Sequence, residues 1–276
     1  MSTVLLIFKI TGIAVGALLG LIILEMITAV FAPWIKAPRQ PLPSQTKPES
    51  RAPEYRQDIR FDVNGIPVHA WLYLPSESAC PAPCVIMSNG FGGTKDMALP
   101  AYAQRFVREG MAVLTYDYRH FGESGGEPRQ LFDPGKQLDD LRAAVRFARG
   151  RREINPDRIA LWGTSAAGGY GLVIAAEDKQ IACVIAQCPS LDRHADFKKS
   201  LQENGLGFFL RLFVHAQRDK GRSRLGMPPH RLPIVGKPGT LAMHTGQDVF
   251  QGYTGLAAGS STFTNTVCAR VLLIED

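Results

Sequence analysis

The chain has 276 residues, 45% of them apolar and 20% charged, proportions that allow a packed core and exclude a disordered polymer. Its formal charge of +6 invites a nucleic-acid partner, but lysine and arginine are dispersed except at Arg218–Arg224, which reads as a solvated loop, so no nucleic acid is expected. The five cysteines form neither a disulfide framework nor a zinc-ligand pattern; no metal and a reducing environment are expected, with Cys183 and Cys188 in a buried strand.

From Val4 to Trp34 the sequence is almost wholly apolar, interrupted by Lys9 and Glu25. The uncharged run Ile10–Leu24 is shorter than the roughly 20 residues that cross a bilayer. Continuing past Glu25 to Val30 supplies the length, with Glu25 near the interface, protonated or reaching the headgroups. Residues 1–36 are therefore expected to form a membrane anchor, with Trp34 and Lys36 at the interface. A cleaved signal is the rival, although Val30-Phe31-Ala32 before Pro33 is a poor cleavage site, and a buried helix is a further alternative. Lys36, Arg39, Lys47 and Arg51 follow the helix, which leans towards a cytoplasmic domain. The proline-rich residues 37–55 read as an extended linker.

The remaining elements alternate. Asp58–Leu74 carries alternating polarity around Asn64-Gly65, a strong hairpin signal. Cys84–Met87 is a short apolar strand, Met97–Glu109 a helix stopped by Gly110, and Ala112–Tyr116 a second buried strand. Gln137–Ala148 is helical, Arg158–Trp162 a strand, Ala166–Ala176 a small-residue helix and Ile181–Ala186 another strand. Unbroken apolar strands alternating with helices predict an α/β fold, a mostly parallel sheet covered on both faces, with an antiparallel hairpin at one edge.

Gly163-Thr164-Ser165-Ala166-Ala167 falls between a predicted strand and a predicted helix. That is the setting of a nucleophile elbow, in which a strained turn lifts a serine hydroxyl clear of the sheet and the flanking residues must be small. Ala167 stands where the second glycine is usual. Ser165 is the candidate nucleophile. The glycine-rich Asn89-Gly90-Phe91-Gly92-Gly93 follows a neighbouring strand, so the backbone amides of Phe91 and Ala166 are candidate oxyanion-hole donors. The same glycines lack the Gly-Lys-Ser/Thr ending of a phosphate-binding P-loop.

With Ser88–Asp96 and Asp117–Gly126, this turn resembles the α/β-hydrolase superfamily, in particular the dienelactone-hydrolase-like and X-Pro dipeptidyl-peptidase-like branch that includes polyketide-pathway hydrolases and acyl transferases. The resemblance covers about Arg56 to Arg270. It implies a domain over residues 56–276, attack by serine on an ester, thioester or amide through an acyl-enzyme, and no cofactor. Asn89 replaces the histidine usual before the oxyanion glycine. The resemblance also implies a cap-like insertion, here residues 201–260, in which Phe208, Phe209, Leu212 and Phe213 either line an acyl pocket or pack as core, the latter being favoured.

A serine hydrolase also needs a base and an orienting acid. In this family they follow the serine, acid then histidine, on loops after the last strands. No such pattern occurs before Asp276, so the acid and base remain unassigned. His194, His215, His230 and His244 lie in or near the expected insertion, where packing or surface roles are the ordinary expectation. Family register puts Val271–Asp276 in a helix. The expectation is a carboxy-terminally incomplete hydrolase of impaired activity, or alternatively a non-catalytic relative that binds an acyl ligand or partner.

Overall fold

The apolar amino-terminal stretch forms one helix of 29 residues, α1 (Thr3–Phe31). Within it, Lys9–Phe31 is long and apolar enough to cross a membrane. The computed structural model describes residues 3–40, 42, 55–75 and 81–274. Most of the proline-rich linker, Cys80, Glu275 and Asp276 lie outside the described residues.

Asn64 and Gly65 take φ of 54° and 80°, the two left-handed conformations that close a two-residue hairpin. They join β1 (Arg56–Val63) to β2 (Ile66–Tyr73), paired from Arg56 opposite Tyr73 to Val63 opposite Ile66. β3 (Ala82–Ser88), β4 (Ala112–Tyr116), β5 (Ile154–Thr164) and β6 (Ile181–Gln187) follow. The sheet order is β1-β2-β4-β3-β5-β6. β2 meets β4 antiparallel, while β4, β3, β5 and β6 run parallel. The predicted α/β architecture with an antiparallel hairpin at one edge is the observed one.

Both faces are covered. α2 (Leu99–Arg108) buries Leu99 and Ala103 against Trp71, Val85, Met87 and Trp162. On the other face α3 (Pro134–Arg149) and α4 (Ala166–Glu177) pack Leu141, Ala144 and Ile174 against Leu72, Ile86, Leu114 and Leu161. β6 lies at the sheet's edge, and this corrects one expectation: Cys183 and Cys188 are exposed rather than in a buried strand. An apolar run signals burial only where neighbours cover both faces, and β6 pairs only with β5 among the described residues.

After β6 come α5 (Arg193–Asn204) and α6 (Leu206–Arg224), then short two-residue ladders, α7 (Gln247–Ala257) and a 3-10 turn over Ala269–Leu273. That last turn excludes a strand over the described part of Val271–Asp276. Phe208 and Leu212 pack with Leu232 and Ala269, with Phe209 against them, so these three serve packing, while Phe213 is exposed.

Arg218–Arg224, expected as a loop, is the last part of α6. Arginine and lysine are good helix formers, and here the segment gains tertiary partners. Asp219 accepts from the backbone amides of His230 and Arg270 at 2.7 and 3.0 Å. Gly221 abuts α1, where a Cβ would stand 2.2 Å from the Glu25 carbonyl oxygen. Glu25 neither faces headgroups nor stands alone. It is 2% exposed and pairs with Arg224 at 2.9 Å and Lys220 at 3.7 Å, so the last turns of α1 dock on α6.

A buried ion pair ties two loops at the carboxyl ends of the central strands. Lys95, after β3, donates through both its backbone amide and Nζ to Asp117, after β4, each at 2.7 Å. Nζ also donates to Glu123 at 2.6 Å, and both Lys95 and Asp117 are fully buried. The triangle of His69, Asp117 and Glu123 has metal-like spacing, but Lys95 already supplies its cation. Removing one partner of such a pair strands the other charge. Lys95→Met is expected to lower unfolding free energy by about 3–5 kcal/mol in urea denaturation, with Arg105→Met, on the exposed side of α2, nearly neutral.

Candidate active site

β5 ends at Thr164 and α4 begins at Ala166, leaving Ser165 as the single residue that turns the chain. Its backbone sits at φ 54°, ψ −124°, a conformation that costs a non-glycine residue on the order of 1–3 kcal/mol and persists only when its surroundings enforce it. The enforcement is visible. The Ser165 amide donates to the Gln187 carbonyl at 3.0 Å, and the Ser165 carbonyl accepts from Gly168 and Ser190 at 3.0 and 3.1 Å. Gly163 is obligatory, because a Cβ there would lie 2.3 Å from the Ala167 carbonyl oxygen. Ala167 itself is buried, and its methyl group is accommodated where the glycine would be usual.

The loop after β3 leans directly on this turn. A Cβ on Gly90 would stand 2.9 Å from Ser165 Cβ and 3.0 Å from the Thr164 carbonyl oxygen. Only glycine permits that approach, which brings the Phe91 loop against Ser165. Neither the Phe91 amide nor the Ala166 amide donates a hydrogen bond among the described residues. Ala166, as the first residue of α4, has no intrahelical acceptor. Both amides are thus left available to an oxygen from outside the chain.

Asn89 stabilises the loop internally, donating its carboxamide to the carbonyls of Thr94 and Met97. The post-β6 segment pins the same loop from above. Tyr253 of α7 donates to the Phe91 carbonyl at 2.9 Å. Asp96 accepts from Thr94, Ser260 and Thr262 hydroxyls and from the Ser261 amide. Burial works against ionisation of Asp96, yet these hydrogen bonds hold its carboxyl below the usual range. Sequence reasoning did not single out Asp96 or Tyr253; the polar run Ser260-Ser261-Thr262 was the available signal.

A cavity of about 270 Å³ opens over Ser165, walled by the Gly90–Gly93 loop, Met97, Val249, Tyr253, Leu256 and His244. Of the four histidines considered, His244 alone lines it. Its ring meets Phe91 edge-on at 5.2 Å and lies nearly parallel to Tyr253 at 6.4 Å. Its outer edge remains open to solvent, while the protein crowding its inner side lowers its pKa, opposed by the charge of Asp196. No hydrogen bond joins it to Ser165. His194 is exposed on α5, and His215 and His230 bond each other at 2.7 Å.

These features define a member of the α/β-hydrolase fold. The sequence profile of the X-Pro dipeptidyl-peptidase (S15) family matches residues 64–224, and the chain belongs to that family. It is 40% identical over 224 residues to the quorum-quenching protein AidA of Acinetobacter baumannii, covering 81% of this chain and 72% of AidA. It is 33% identical over 187 residues to the polyketide transferase grgF of a Penicillium species, and 30% over 181 residues to the thiohydrolase aneE of Aspergillus aculeatus. The chain spans 60% and 55% of those two fungal relatives, and they align with 67% and 66% of it. Among solved structures, the α/β hydrolase GrgF from Penicillium superposes with a TM-score of 0.64 at 29% identity, covering 79% of this chain and 71% of that one.

If the close approach at Gly90 sets the site, enlarging that residue must displace the loop. Gly90→Val is expected to reduce any Ser165-dependent acylation rate at least tenfold while the protein stays folded by circular dichroism. An unchanged rate would show that the Phe91 loop does not contribute.

Proposed function

We propose that the chain is a serine hydrolase or acyl transferase, with Ser165 attacking the carbonyl carbon of an ester or thioester. The reading rests chiefly on the convergence of the strained Ser165 with two undonated amides, Phe91 and Ala166. As the Ser165 Oγ–carbon bond forms, the carbonyl oxygen gains negative charge between those amides. Collapse of the tetrahedral intermediate expels the alcohol or thiol, which takes up a proton, and leaves an acyl-serine. Water or a second nucleophile then releases the acyl group. The names of the relatives, a thiohydrolase and a polyketide transferase, favour acyl thioester chemistry, and the apolar cavity wall suits an acyl chain.

The step that removes the serine proton needs a base. His244 is the described histidine nearest in placement to that role, yet it is not bonded to Ser165. We therefore assign this chain the nucleophile and oxyanion portion of the machinery, with low turnover. The missing serine–base bond also favours a second reading, in which the domain binds an acyl ligand without turning it over. In either case we propose that Thr3–Leu24, the part of α1 before the turns docked on α6, anchors the chain at a membrane, with the domain on the cytoplasmic side.

An acyl-enzyme is visible directly. After incubation with a short-chain acyl thioester and acid quench, intact-mass measurement is expected to show one acyl addition, absent in Ser165→Ala, with release slow enough for the adduct to accumulate. Loss of a working nucleophile lowers turnover by several orders of magnitude. No adduct in the folded wild-type protein would exclude the hydrolase reading and leave ligand binding. Rapid, saturable, Ser165-dependent turnover would show that the base is in place and contradict the low-turnover assignment.

A further inference from the structure

Away from Ser165, a second cavity of about 620 Å³ opens where α1 ends and α6 passes beneath the following segment. Its walls include Lys36 and Arg39 from the chain after α1, Arg218 and Arg222 from α6, and His230. No carboxylate lines it. The acidic groups on the adjoining elements are already engaged: Glu25 pairs with Lys220 and Arg224, and Asp219 takes the amides of His230 and Arg270. Among the described residues, none of the four cations makes an ion pair.

Arg218 carries the argument furthest. It is 7% exposed, donates one terminal nitrogen to the Thr28 carbonyl at the end of α1, and leaves its Nε buried with no acceptor. A buried guanidinium without a counter-charge is costly, and the Arg218 side chain lines this cavity with no carboxylate beside it. Burial, the neighbouring His215 and the charges of Arg218 and Arg222 push the His230 ring down to about 3, so it stays neutral and adds no charge of its own. Burial, and secondarily the Arg222 charge, lower Arg218 as well.

We propose that this cavity is a binding site for a phosphate group. Guanidinium forks match the oxygens of a phosphate, and three of them beside a lysine supply both the charge and the directed donors that such a group needs. Trp34, between the lining residues Pro33 and Ile35, and Phe31, two residues before Pro33, are 74% and 69% exposed. An apolar helix end beside a cationic cavity suits the phosphate of a lipid headgroup, whose acyl chains would lie along α1; a free phosphate uses the same donors. The site is independent of Ser165 and of the hydrolase reading.

The test uses the full chain in non-ionic detergent at constant ionic strength, titrated calorimetrically with inorganic phosphate and, separately, with phosphatidic acid in mixed micelles. Saturable binding to either, weakened at least tenfold in Arg39→Gln/Arg222→Gln, is the expected result. Binding of phosphatidic acid alone identifies a headgroup, and equal binding of both identifies the free ion. Should the double variant fail to fold by circular dichroism, Lys36→Gln, at an exposed position, is expected to weaken binding severalfold by itself. Absence of saturable binding to both probes, or binding unchanged in the folded variants, would overturn the proposal.

Discussion

The chain crosses from β5 into α4 with no room to spare: at Gly163 the strand backbone and the first turn of the helix are so close that a single Cβ would overlap the Ala167 carbonyl. This contact fixes where α4 starts, and therefore fixes the backbone of the one residue between strand and helix. Ser165 is held in a conformation it would not adopt freely, and the strain is supported by its amide donating to the Gln187 carbonyl at the end of β6 and by its carbonyl accepting from the Ser190 amide. The sheet, the helix and the segment after β6 are thus joined at one point.

Everything else in the candidate site is referred to that point. Gly90 lets the loop after β3 close on Ser165, and three separate devices keep the loop there. Lys95 is locked beneath it to Asp117 in the interior. Asn89 folds the loop on itself. Asp96 and the Phe91 carbonyl attach it to the post-β6 segment through Ser260, Thr262 and Tyr253. The segment that covers the cavity is therefore also part of what positions the Phe91 loop against Ser165. Buried polar networks of this kind are stable only when every member is satisfied, which links the cover's integrity to the geometry at Ser165.

The alternating strands and helices were legible because period and turn chemistry agree locally: Asn64-Gly65 closes the hairpin, and Gly163 and Gly90 mark backbone approaches. Ser165 and the Phe91 loop were legible for the same reason. What depends on distant partners was not. Cys183 lies in a strand as apolar as any, and only the lack of a covering neighbour exposes it. Arg218–Arg224 looks like a solvated loop until α1 is laid against it, when Gly221 and Glu25 become contact residues. Glu25 reads as an interfacial acid until Arg224 is placed beside it. Nor does spacing reveal that His244, rather than His194, His215 or His230, borders the cavity.

The account centres on the proposal that Ser165 attacks a carbonyl whose oxygen is held by the Phe91 and Ala166 amides. Its most direct test is a crystal structure of the protein after reaction with a small fluorophosphonate. The expected density is a phosphonyl group on Ser165 Oγ, its phosphoryl oxygen within hydrogen-bond distance of both the Phe91 and Ala166 amides. A phosphonyl group on another residue, an oxygen directed away from those amides, or no adduct at all in an ordered domain would contradict it.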